Sequence, residues 1–315
     1  MDGIAPIKPK RLCLGDTIGV IAPASWGDPE MTVAGIRWLE ERGFRVQTGM
    51  TIDQRVGYLS GSDAMRAADI NAMFASPEID GIVCLRGGYG TMRLLHLLDY
   101  DLIRAHPKVF IGYSDITALH LSIGQRTGLV TFHGPMVASD MGKGLSEYTW
   151  DYFFRAVTNP APLGAVVNPP SVSPPLFIVP GTSQGYLTGG NLSLITATLA
   201  TPYEIDTRGK ILCLEEVGEA PYRIDRMLTQ LMLAGKLQDA AGVVFDACAG
   251  CDAEDETLGF TVEEVLRDRL GSLKIPVLYN LHFGHTPDKA TLPMGVMAEL
   301  GAQVGGLTVI ETAVI

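Results

Sequence analysis

Three short stretches carry residue types that could act together on an acyl group. Residues 109–120 read VFIGYSDITALH. An apolar run ends at Ile111, turns through Gly112 and Tyr113, and sets Ser114 and Asp115 before a helical pattern. A strand-turn-helix corner of this kind exposes one side chain and aims the first N–H groups of the helix at whatever that side chain attacks. Ser114 is therefore a candidate nucleophile; the competing role for Ser114 or Asp115 is a plain helix cap. Residues 211–216, ILCLEE, end a second apolar run on Glu215 and Glu216. Residues 277–287, VLYNLHFGHTP, end a third and place His282 and His285 in a loop punctuated by Gly284 and Pro287. Serine, acid and histidine, each just beyond a strand and in that chain order, suit hydroxyl attack with an imidazole base oriented by a carboxylate. The competing roles are an ion pair of the acid with Arg223 or Arg226 and a histidine on the surface. Strand alternation turns neighbouring side chains to opposite sides, so Glu215 and Glu216 cannot both face one histidine.

Two further groupings invite other chemistry. Arg86–Gly90, RGGYG, follows the apolar GIVCL run and could cradle a phosphate, but it has neither the G-x-G-x-x-G spacing nor a Lys-Ser/Thr pair. Its better use is to lend a backbone N–H to the crevice where Ser114 opens. Cys248 and Cys251, with His282 and His285, suggest zinc. The stretch from residue 252 to 281 is far longer than the about 12 to 15 residues between ligand pairs of a finger. Two histidines three apart around Gly284 also fit a helix poorly, so neither a metal nor a cofactor is expected, and the CxxC lacks the helix start of a redox motif.

The elements that must position these residues alternate. Apolar runs at Thr17–Ala22, Gly81–Leu85 and Lys108–Ile111 read as strands, and 31–42, 64–74 and 91–98 as helices, the first capped by Asp28 and stopped at Gly43. Strands separated by helices imply βαβ units and a mostly parallel sheet covered on both faces, in a first α/β domain over residues 1–157. Residues 158–181 are dense in proline and read as a linker. Helical patterns at 192–199, 223–234 and 261–270 alternate with strands at 211–214, 242–245, 277–279 and 307–310 in a second α/β domain, 182–315. At 315 residues, two domains are the better expectation, since one core stops growing near about 250 to 300 residues. A net charge of −11 disfavours nucleic acid and anionic membranes, which need a positive field. No apolar run reaches the length of a membrane span, no signal peptide is evident, and five scattered cysteines do not make a secreted disulfide framework, so a cytoplasmic protein with a small-molecule partner is expected.

The blocks LRGGYG, GYSDITALH, GGNLS, LEEVGEAPYRIDRML and HFGHTPDKATLPMG, in this order from about Ile18 to the C-terminus, resemble the motifs of the LD-carboxypeptidases, a family of serine peptidases that includes the bacterial muramoyltetrapeptide carboxypeptidases. The resemblance implies an N-terminal doubly wound α/β domain, a second α/β domain that supplies acid and histidine, an active site in the cleft between them, and a triad of Ser114, Glu215 and His285, with Glu216 and His282 as the rival positions. It also implies release of a terminal D-alanine from the L-centre of a diamino acid in murein peptides, a small muropeptide as substrate, and a homodimer. N–H groups of Gly88 and Asp115 are the expected oxyanion donors. Arg86, Gly87, Tyr89 and Asn191 are the candidates for the substrate wall. Three other functions remain open: a related immunity hydrolase of peptide-nucleotide antibiotics, a general α/β esterase, and a binding module without turnover. The esterase is disfavoured because GYSDI lacks the second glycine of G-x-S-x-G.

Overall fold

The computed structural model describes residues 5–252 and 259–315. These fall into two compact units. The first holds the chain up to Ala161 together with Thr291–Gly295 and Ala313–Ile315; the second holds Pro162–Ala290 and Val296–Thr312.

In the first unit the strands are β1 (Thr17–Ile21), β2 (Arg45–Thr48), β3 (Gly81–Cys84), β4 (Val109–Gly112) and β5 (Thr131–His133). Helices α1 (Pro29–Glu40), α2 (Asp63–Ala75), α3 (Tyr100–Ala105), α4 (Thr117–Thr127) and α5 (Glu147–Thr158) accompany them. β3 and β4 are buried at every position, as parallel strands covered on both faces must be. β1 pairs with both β2 and β3, and β3, β4 and β5 follow in parallel. The resulting order, β2-β1-β3-β4-β5, is doubly wound and reverses direction between β1 and β3. Ligands of such sheets bind beyond the carboxyl ends of the strands at that reversal.

Local signals explain most boundaries. Asp28 accepts from the Met31 N–H and caps α1, as its sequence position predicts. The helical pattern expected over 91–98 is instead a single 3₁₀ turn, Thr91–Leu94. Asp99 then accepts from Leu102 N and starts α3, a cap that divides the pattern in two. α5 follows a Ser146 cap and was not evident as an element in the sequence.

The expected linker is not one. Residues 158–181 carry β6 (Gly164–Val166) and β7 (Leu176–Val179), both edge strands, where proline nearby costs no ladder hydrogen bond. The second unit continues with β8 (Thr182–Asn191), α6 (Leu192–Ala197), β9 (Ile211–Glu215), α7 (Pro221–Leu233), α8 (Lys236–Asp239), β10 (Gly242–Phe245), α9 (Val262–Leu270) and β11 (Val277–Tyr279). After these, β12 (Leu292–Met294) joins the first sheet antiparallel to β5, and β13 (Met297–Gly301) and β14 (Gly306–Val309) return to the second. β8, β9, β10 and β11 run parallel at the centre of the second sheet, and antiparallel strands flank them. Among the described residues no helix is long and apolar enough to cross a membrane.

One buried cation ties the first unit's loops together. Arg66 of α2 has no exposed surface. Its guanidinium donates to Pro23 O beyond β1 at 2.5 Å, to Gly90 O beyond β3 at 3.0 Å, and to Asp63 at 2.6 Å. Replacing it leaves Pro23 O without that donor, Gly90 O with the longer bond from Arg93 N at 3.3 Å, and the Asp63 carboxylate with Arg93 alone. Arg66→Met is expected to cost on the order of 3 kcal/mol, read as a lower urea midpoint at unchanged slope. A wild-type midpoint would mean that other contacts hold the RGGYG loop.

Candidate active site

In the first unit, Ser114 sits at the end of β4 with φ of 64°, one of four non-glycine residues among those described with positive φ. An L-residue is held there only by its surroundings, and such strain concentrates at functional turns. The competing cap role is absent: no side chain caps the 3₁₀ turn at Ser114–Ile116 or the start of α4. Ser114 is half-buried and Asp115 is buried.

Asp115 is used as a strut. Its carboxylate accepts from Thr91 N at 2.9 Å, and its carbonyl accepts from the Thr91 hydroxyl at 2.5 Å. Burial raises its pKa, against the hydrogen bonds from Thr91 and Gly90. The loop after β3 is thereby fastened to the turn after β4.

The same loop passes directly over the serine. A Cβ on Gly87 would stand 3.0 Å from Ser114 Oγ and 3.3 Å from Asp115 N, so only glycine leaves that space open. Gly88, at φ of 113°, lies against Ser25, whose hydroxyl accepts from Tyr89 N at 3.3 Å. Ser25 follows β1, so the β1 and β3 loops meet at the reversal of the sheet; sequence reasoning did not single it out, and a serine after a strand gives little signal alone. Arg86 is partly buried and reaches Trp26 O at 3.4 Å, while Tyr89 is exposed and packs edge-on against the exposed Tyr58.

In the second unit, the adjacent glutamates at the end of β9 separate as strand alternation requires. Glu215, with no exposed surface, accepts from or shares a proton with His285 Nδ1 at 2.6 Å. Glu216 turns the other way. It accepts from Asn191 Nδ2 at 3.1 Å, Ser193 N at 3.0 Å, Ser193 Oγ at 2.7 Å and its own Val217 N at 3.0 Å. Asn191, expected on the substrate wall, is buried: its amide nitrogen holds Glu216 and its carbonyl oxygen caps α6 through Leu194 N. Burial raises the Glu216 carboxyl, the Ser193 bond opposing it.

His285 reaches Glu215 because the HFGH loop packs tightly on the strand ends. A Cβ on Gly284 would lie 2.7 Å from Glu215 Cβ and 2.7 Å from Asp246 Oδ2. His282 faces elsewhere; burial lowers its pKa, and its backbone N–H donates to Asn168. Cys248 and Cys251 are buried in the loop after β10, where Cys251 N donates to Cys248 O. Among the described residues no group of three or more His, Cys, Asp or Glu is arranged to hold a metal ion.

Burial alone would lower the His285 pKa, but the hydrogen bond and charge of Glu215 outweigh it and the value is raised above 6.5. An imidazole so held is a base whose protonated form is stabilised where it would form during proton transfer. An elbow serine closely overlaid by a glycine-rich loop in one α/β unit and a carboxylate-oriented histidine in the other are the parts of a serine hydrolase.

Comparison with known proteins gives the family. The model of the LD-carboxypeptidase N-terminal domain matches residues 18–134, and that of the LD-carboxypeptidase C-terminal domain matches 184–300. A Bacillus subtilis (strain 168) protein described as a probable murein peptide carboxypeptidase is 43% identical over 297 residues, 93% of this chain and 91% of its own. The solved structure of MccF in complex with glutamyl sulfamoyl guanosine superposes with a TM-score of 0.89 at 26% identity, over 98% of this chain and all of that one. The muramoyltetrapeptide carboxypeptidase from Oxalobacter formigenes does so at 0.82 and 31%, over 95% of this chain and all of that one. The chain belongs to the LD-carboxypeptidase family of serine-type hydrolases.

The raised His285 value means that its protonated form stabilises the fold below about pH 6.5, a contribution lost as pH rises through the folded value. Glu215→Gln removes the charge responsible, so the His285 midpoint in a ¹H–¹⁵N titration is expected to fall below that of wild type. Glu216→Gln is expected to leave it in place. The opposite ranking would transfer the pairing to Glu216.

Proposed function

We propose that this chain is an LD-carboxypeptidase that releases carboxyl-terminal D-alanine from murein tetrapeptides, with Ser114, His285 and Glu215 acting as nucleophile, base and acid. The observation that carries this reading is the 2.6 Å bond from His285 Nδ1 to the buried Glu215 carboxylate. It engages Nδ1, so Nε2 is the nitrogen that this reading uses for proton transfer.

His285 takes the Ser114 hydroxyl proton as Oγ attacks the amide carbonyl, and returns it to the departing D-alanine nitrogen. Water then cleaves the acyl-enzyme by the same transfers. Glu215 stabilises the imidazolium in both halves. Backbone N–H groups of Asp115 and Gly88 serve the developing oxyanion, where loss of one donor typically costs about 2.7 to 4 kcal/mol. Gly87 keeps the space above Ser114 open, Arg86 answers the free carboxylate of the substrate, and Tyr89 lines its approach. Asn191 contributes by holding Glu216. The acidic charge and free thiols suit a cytoplasmic enzyme, and a homodimer is the assembly we take it to form.

The 43% identity to the Bacillus subtilis protein supports the murein substrate. The higher TM-score against MccF favours a second reading, hydrolysis of an aminoacyl-nucleotide amide by the same residues. Tyr89 of the RGGYG loop and Tyr58 packed edge-on against it, both exposed, offer a face on which a base could stack.

Both readings are tested by mass spectrometry of a tetrapeptide ending in D-Ala and of glutamyl sulfamoyl adenosine, each incubated with wild type and variants. Ser114→Ala and His285→Ala are expected to abolish D-Ala release with circular dichroism unchanged, and the double variant to be little worse than either. Glu215→Gln is expected to lower kcat by on the order of a thousandfold, Glu216→Gln by only a few-fold. Near wild-type kcat in Ser114→Ala would end the covalent mechanism. Turnover of the nucleotide alone would establish the second reading in place of the first.

A further inference from the structure

A second carboxylate stands behind the Glu215–His285 pair. Asp246 follows the apolar β10 just as Glu215 ends β9, and its N–H donates to Leu214 O at 2.9 Å, so the two acids occupy adjacent strand ends. It has no exposed surface. Its Oδ1 accepts from Phe283 N at 3.0 Å and Gly284 N at 3.3 Å, the two residues preceding His285. Its Oδ2 is buried and, like Glu215 Oε1, accepts no hydrogen bond among the described residues. Asp246 Oδ2 and Glu215 Oε2 both lie within 3.0 Å of the point where a Gly284 Cβ would stand, so both carboxylates crowd the same glycine.

We infer that Asp246 is a positioning residue for His285: it holds the Phe283–Gly284 backbone that presents the imidazole to Glu215, and adds a second negative field behind it. This rests on the reading of His285 and Glu215 as base and acid. Without an acceptor at Oδ1, two buried N–H groups lose their partner and the loop is free to shift the ring away from Glu215. Without the charge, the imidazolium loses part of its stabilisation.

The two contributions separate by substitution. The titratable and charged groups around Asp246 are Glu215 on β9, Tyr279 on β11, Cys248 in its own loop, and His285 with Lys289 beside it in the loop after β11. Burial pushes the Asp246 carboxyl up to about 6; the Phe283 N–H opposes this and the Glu215 charge adds to it. The Asp246 charge in turn adds to the rise of the His285 value, so ionisation of this carboxyl is felt at the ring.

Asp246→Asn keeps an acceptor for the two N–H groups and removes the charge. It is expected to retain kcat within about tenfold of wild type, with the acidic limb of the kcat profile and the His285 ¹⁵N midpoint both moved to lower pH. Asp246→Ala removes the acceptor as well and is expected to lose about 10- to 100-fold in kcat with KM nearly unchanged. In the wild-type protein the His285 resonance is expected to show two inflections, a readout needing no variant to fold. Wild-type kcat in Asp246→Ala would overturn the inference, as would equal losses in both variants with an unmoved acidic limb, or one inflection in wild type. The ¹⁵N titration needs no turnover, so it decides the role of Asp246 even if neither the tetrapeptide nor the nucleotide is cleaved.

Discussion

A carboxylate taken wholly out of water has to find compensating partners, and Glu215 finds one nitrogen of His285. Much of the second unit's local order is a consequence of that pairing. The histidine must approach a strand end to within hydrogen-bonding distance, so the loop that carries it has to lie flat on the sheet. Gly284 permits this because any side chain there would collide with Glu215 or Asp246. Asp246 accepts the loop's N–H groups, and Ala290 N closes the loop on His282 O. A single charge-assisted contact therefore dictates a glycine, a second acid and the path of about nine residues of chain.

The neighbouring glutamate shows how the same strand serves two purposes. Alternation sends Glu216 to the opposite side, where Asn191, Ser193 and Val217 saturate it. Four donors on one carboxylate are a structural investment, and they tie the end of β9 to the start of α6. The rigidity of that corner is what allows the Glu215 side chain to hold one orientation. Asn191, which from its motif looks like a substrate contact, belongs to this brace.

The pairing of Glu215 with His285 was more legible in the sequence than the architecture. Ser114, Glu215 and His285 stood out because each follows an apolar run, and the GIVCL and VFIG runs mark buried parallel strands unambiguously. β8 did not, because TSQGYLTGGN has few β-forming residues; its state is decided by β9 and β13 on either side. Residues 158–181 were misleading for the opposite reason: proline density argues against a central strand, and here the strands are at edges. The return of Leu292–Met294 to the first sheet is a long-range pairing that no local pattern encodes. Asp246 was accessible to the same logic as Glu215, an acid terminating an apolar strand, but no motif drew attention to it.

The first unit solves a different problem, that of holding an unfavourable conformation in place. Ser114 at positive φ has no intrinsic preference for its backbone geometry, and strain of this kind typically costs about 1 to 3 kcal/mol. The turn is held because its next residue is bound twice by Thr91, and Thr91 is fixed because Gly90 O is gripped by the buried Arg66. The chain of contacts runs from a cation in α2, through the loop after β3, to the serine after β4. Each link is buried, where hydrogen bonds lose least to competition with water. The glycine-rich loop after β3 and the elbow that bears Ser114 are therefore one mechanical piece, and a fixed spacing between donor and attacking oxygen is the requirement that electrostatic stabilisation of a tetrahedral intermediate imposes.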